Sequence, residues 1–160
     1  MAQTGQSPGE LKALIDAAEG VWFEVFYSGD LNEAITVGDR EYYLLPFKFS
    51  TKEKVITYFR RFWGVTMSNR MFCNLYTIKR NNRLYVIAGD PGIFTTIPRR
   101  VRVTSRTATR ISVTAVLSMS EDYDEETMVV QYLIGKTGTG LRVLDRNKKD
   151  ERFARCGRPG

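Results

Sequence analysis

The sequence predicts an α+β domain in which N-terminal helices pack on a curved antiparallel sheet. Three observations point there. Capping boxes open two amphipathic runs in the first 60 residues. From residue 76 onward the apolar period shortens from 3.6 to 2, and turn-forming clusters separate short β-branched and aromatic runs. A chain of 160 residues with 42% hydrophobic content is long enough to bury one core without staples. Helices early and strands late argue for segregated layers rather than alternating βα units.

The elements follow in order. Ser7-Pro8-Gly9-Glu10 is a capping box with proline at the first helical position, and Leu11, Leu14, Ile15, Ala18, Trp22, Val25 and Phe26 then mark one face of a helix of about twenty residues. Ser28-Gly29-Asp30 closes it, glycine suiting the left-handed position after a helix end. Ala34–Val37 and Tyr42–Leu45 read as strands around a Gly38-Asp39 turn, stopped by Pro46. Ser50-Thr51-Lys52-Glu53 opens a second helix expected to run to Gly64, with Val55, Ile56, Phe59, Phe62 and Trp63 inward. Burial of each large apolar side chain is worth ~1.5–3 kcal/mol, against ~0–1 kcal/mol for an exposed charge, so this stripe serves folding before recognition. A short third helix carries Met67, Met71, Phe72 and Leu75.

Strands make up the rest. Tyr76–Ile78 and Leu84–Ile87 flank the polar turn Lys79–Arg83 as a hairpin, and Gly89-Asp90-Pro91-Gly92 punctuates again. Later strands cover Val101–Val103, Ile111–Met119, Thr127–Ile134 and Leu141–Leu144. No repeat or linker divides the chain. The expected organisation is therefore one domain over residues 1–160, with residues 1–6 and 146–160 as loose ends.

Charge is unevenly spread. From Arg60 to Arg110 eleven basic residues face the single acid Asp90, whereas residues 1–59 carry nine acids against five bases. Such a field favours an anionic partner: an anionic polymer, an acidic protein surface or nucleic acid. In "RRVRVTSR", Arg100, Arg102 and Arg106 share one parity with Val101 and Val103 opposite, which predicts a cationic stripe on one strand face. No aromatic is interleaved for base stacking, which argues against nucleic acid. The run "EDYDEE" lacks the spacing of a calcium loop and reads as a hairpin tip, with Asp122, Tyr123 and Asp124 placed to enter a partner's cleft.

The sequence contains no histidine. That removes Ser-His and Cys-His nucleophile pairs and histidine-based zinc sites. "GKTGTG" lacks the order of a phosphate-binding loop. No catalytic residue, metal or cofactor is assigned. Cys73 lies in an apolar segment and Cys156 in a Gly/Pro/Arg tail; nothing in the spacing brings their sulfurs together, so no disulfide is predicted. No run approaches the ~20 apolar residues of a membrane span. The first nine residues lack the regions of a signal peptide, leaving open a cytoplasmic chain or a mature segment.

With these elements placed, residues 42–92, "YYLLPFKFSTKEKVITYFRRFWGVTMSNRMFCNLYTIKRNNRLYVIAGDPG", resemble the bacterial inhibitors of cell-wall DL-endopeptidases, the autolysin inhibitors. The shared pattern is a tyrosine strand, a Thr-Lys-Glu helix start, a short second helix and a hairpin with a basic turn, Leu-Tyr-Val and a Gly-Asp punctuation. "VVQYLIGKTGTGLRVLD" is similar to their closing hairpin in outline. The resemblance implies a non-enzymatic, secreted or envelope-associated protein that binds cysteine-type peptidoglycan endopeptidases and blocks their catalytic cleft. It also implies a roll related to the cystatin and nuclear-transport-factor folds. The first helix followed by "SGDLNEAITV" is similar to that wider group, so the alternative is a nuclear-transport-factor-like roll. Such a roll would hold a small apolar ligand, or acid-base chemistry, in an interior cone with a buried carboxylate or tyrosine.

Overall fold

A computed structural model describes residues 6–119 and 126–156. The chain runs α1 (Pro8–Phe26), β1 (Asp30–Val37), β2 (Arg40–Leu44), α2 (Lys52–Phe59), α3 (Val65–Cys73), β3 (Thr77–Arg80), β4 (Arg83–Ile87), β5 (Ile97–Arg106), β6 (Arg110–Ser118), β7 (Thr127–Thr137) and β8 (Gly140–Arg146). Short 3-10 turns cover Phe47–Phe49 and Glu151–Phe153. The α+β class holds. The strands form two four-stranded antiparallel sheets, ordered β1-β2-β4-β3 and β5-β6-β7-β8, rather than one continuous sheet. The chain gathers into two compact units, one built on each sheet.

The first unit holds residues up to Gly20, Phe62–Gly64 and Phe94–Lys148. α1 starts as its capping box predicts: the Ser7 amide donates to Glu10 Oε1 at 2.9 Å and the Glu10 amide to Ser7 Oγ at 3.1 Å. Leu11, Ile15 and Ala18 are buried, as are Ile111, Val113, Ala115 and Leu117 on β6 and Val130, Tyr132 and Ile134 on β7. Register puts these strand residues on one face, since Val113 lies opposite Tyr132 and Ala115 opposite Val130. Phe62–Gly64 extends the β8 edge: the Val143 amide donates to the Phe62 carbonyl at 2.7 Å and the Gly64 amide to the Val143 carbonyl at 2.9 Å. This pairing takes Trp63 out of the second helix, which ends at Phe59 and not at Gly64. Trp63 is fully buried and its indole N–H donates to the Ala18 carbonyl at 2.7 Å.

The second unit holds Val21–Arg61, Val65–Ile93 and the chain from Lys149. Thr51, one residue later than expected, caps α2 by accepting from the Lys54 amide at 3.1 Å. Ser50 instead accepts from the Lys54 ammonium at 3.1 Å. The β3–β4 hairpin turns through Asn81 and Asn82, whose positive φ values of 56° and 61° match a tight hairpin turn. Gly29 does not adopt the left-handed conformation expected of it. Its absence of a side chain serves close approach, because a Cβ there would lie 2.7 Å from Cβ of Tyr43.

The end of the chain departs from the loose segment expected from Arg146. Arg146 closes β8 and is buried, and Arg152 and Phe153 are buried as well. Arg152 donates through Nε to Asp150 Oδ1 at 3.0 Å and through Nη2 to Asp150 Oδ2 at 2.8 Å, while its guanidinium lies 5.0 Å from the Phe23 ring centre and 4.6 Å from that of Phe153. Asn74 donates to the carbonyls of Arg152 and Ala154 at 3.1 and 2.9 Å. Cys73 and Cys156 form a disulfide, Cα to Cα 5.8 Å. A polar composition concealed this docking because its partners come from distant parts of the sequence.

Candidate functional site

The arginine stripe sits on β5, an edge strand of the first unit's sheet. Arg100 lies opposite Val116 and Arg102 opposite Thr114, on the face turned away from the buried Val113 and Ala115. Both arginines are exposed, and among the described residues neither has a partner. Arg106 leaves the stripe. The pairing shifts between Val103 and Ser105, so that Thr104 is an extra residue and Arg106 lies opposite the buried Ile111. One inserted residue reverses side-chain parity for all that follow. Arg106 is exposed at the strand end, where its guanidinium donates to the Gln6 carbonyl.

The same register adds an arginine that strand parity in the sequence did not reveal. Arg110 opens β6 opposite Gly135 and shares the face of Ser112, Thr114 and Val116. It too is exposed. The signal available was its parity with Thr114, but linking β6 to β5 across the bulge requires the pairing itself. A second bulge, between Pro98 and Arg100, sets apart Arg99, whose Nε donates to Ser118 Oγ at 2.8 Å.

Asp122, Tyr123 and Asp124 lie outside the described residues. The strands that carry their loop are paired to the end: Ser118 faces Thr127, and the Met119 amide donates to the Glu126 carbonyl at 3.3 Å.

Behind the sheet, Glu19 of α1 is buried with Tyr132 and Arg146. The Tyr132 hydroxyl donates to Glu19 Oε2 at 2.6 Å, and Arg146 Nη1 lies 2.9 Å from both carboxylate oxygens. The nuclear-transport-factor-like alternative calls for a buried carboxylate or tyrosine. Both occur, but each carboxylate oxygen already accepts from Arg146, so the group ties α1 to β7 and β8 instead of offering a vacant proton acceptor. Sequence reasoning missed this pair. The signal was a carboxylate four residues after Ile15 and three before Trp22, on the apolar side of the helix.

In the second unit, a cleft of about 580 Å³ is lined by Thr51, Lys52, Phe72, Ile78, Lys79 and Leu84 among others. A more open groove runs past Lys48, Lys54, Tyr58 and Arg61. Burial, then the hydrogen bond to Glu24 Oε1 at 2.6 Å and the negative charge of Glu24, push the Tyr58 phenol up to about 12, against a smaller opposing effect of Arg61. Among the described residues no group of three His, Cys, Asp or Glu side chains is placed to hold a metal ion, and no helix is long and apolar enough to cross a membrane.

The described residues thus combine two antiparallel sheets, three α-helices, a buried Glu19–Arg146 ion pair and exposed arginines on one strand face. The family described as IseA DL-endopeptidase inhibitor matches residues 7–143, and the chain belongs to that family. No curated protein matches the chain.

Proposed function

We propose that this protein is a non-catalytic inhibitor of peptidoglycan DL-endopeptidases, acting outside the cytoplasm as a secreted or envelope-associated module. Membership of the inhibitor family over residues 7–143 carries the reading. Inhibition by occlusion requires a protruding segment on a rigid support and no reacting group of its own. The segment joining β6 and β7 carries side chains suited to such a contact: Tyr123 is an amphipathic aromatic, Asp122 and Asp124 are acceptors, and the paired ends of β6 and β7 flank it. The disulfide favours an oxidising compartment, which agrees with an extracytoplasmic address.

The test is affinity for a purified DL-endopeptidase. Tyr123→Ala and the pair Asp122→Asn, Asp124→Asn are each expected to weaken binding at least tenfold, about 1.4 kcal/mol or more, without changing the unfolding midpoint. Unchanged affinity in both would remove the loop as the contact; no binding by the unaltered protein would remove the inhibitor reading.

A further inference from the structure

We propose that the outward face of the β5–β8 sheet binds a linear polyanion carrying phosphate groups and no bases, through Arg100, Arg102 and Arg110. The inference rests on register and charge, and does not depend on endopeptidase inhibition. Arg100 and Arg102 project two residues apart along β5, roughly 6.6 Å, and Arg110 stands four residues along β6 from Thr114, the partner of Arg102, roughly 13 Å further. The three cations thus line a path of about 20 Å along one face of the sheet. All three are exposed and, among the described residues, none has a partner.

The charge of this face is not cancelled locally. Asp145, opposite Leu133 on β7, is the acid that register assigns to it among the described strand residues, and it stands on the far edge strand β8. Between the arginines lie Ser105, Ser112, Thr114 and Gln131, which are neutral hydrogen-bonding side chains. Each guanidinium fork can hold two phosphate oxygens, and the hydroxyls and amide beside it can donate to lone pairs that the fork leaves open. The face carries no aromatic residue at any of these positions, so it offers no platform for stacked bases and no aromatic anchor for a protein interface. A linear chain of phosphates needs neither.

The experiment measures binding of the full chain to long-chain inorganic polyphosphate over a range of salt, with polyglutamate and single-stranded DNA as competing polyanions. Polyphosphate is expected to bind most tightly, with log K falling linearly against log salt. Substituting Arg100→Ala, Arg102→Ala and Arg110→Ala together should weaken binding at least tenfold at low salt and lower the slope by about one for each arginine removed. A control that removes the same charge elsewhere, Lys48→Ala, Lys79→Ala and Arg80→Ala, should change affinity less than threefold. Failure of the unaltered protein to bind polyphosphate would overturn the proposal. So would equal losses in the two triple variants, or tighter binding of polyglutamate or DNA than of polyphosphate. Retained inhibition of an endopeptidase by the arginine variant would separate this face from the inhibitory contact.

Discussion

Glu19 and Arg146 are 127 positions apart and meet at 2.9 Å where both are almost fully buried. Removing one partner strands the other charge away from water. Glu19→Ala or Arg146→Ala should therefore lower unfolding free energy by about 3–5 kcal/mol in urea titration, while Glu19→Leu combined with Arg146→Met should recover most of the loss. Tyr58 gives a residue-scale prediction in pH. Its phenol ionises near 12 in the native state and near 10 in the unfolded chain. The unfolded state thus loses this proton first, and the stabilising contribution is present below pH 10 and declines between pH 10 and 12. Tyr58→Phe should flatten that part of the stability profile when unfolding free energy is followed by urea titration between about pH 9 and 12. These groups were poorly legible in the sequence. A carboxylate on an apolar helix face gave a hint of Glu19, but its partners could be named only once strands β7 and β8 were placed beside α1.

Elements were most legible where their signals are local. The Ser7 box, the first helix, the Gly38 turn and the Asn81-Asn82 hairpin depend on neighbours within four residues, and all stand where the sequence puts them. Elements failed to be legible where a distant backbone decides. Val143 draws Phe62–Gly64 out of the second helix pattern, and pairing with β6 creates the Thr104 bulge that turns Arg106 to the other face. The bulge also explains why strand parity puts Arg100 and Arg102, but not Arg106, on the outward face, and why it did not reveal that Arg110 shares that face. The docked C-terminal segment is the other long-range feature. Its disulfide to α3 closes a loop of 83 residues, so Cys156→Ser should cost roughly 2–5 kcal/mol in denaturant unfolding, and the same loss should follow reduction of the native protein. Equal stability of oxidised and reduced chains would show that Asn74 and Arg152 alone hold the segment.

At the scale of the whole molecule, the net charge of +6 is unevenly distributed, and a field of that kind favours encounter with anionic partners. The fold class and the family were legible because the caps, turns and core aromatics of residues 42–92 form a recognisable pattern, and the family match extends it across residues 7–143. The residues proposed to bind a partner were less so, since contact surfaces are set by what projects from a fold and carry no periodicity of their own. The most direct test of the account is turnover of a peptidoglycan substrate by a purified DL-endopeptidase as this protein is titrated in. The account predicts that activity falls to a floor near zero at saturating protein, with the protein itself left uncleaved. Undiminished turnover at micromolar protein would contradict it.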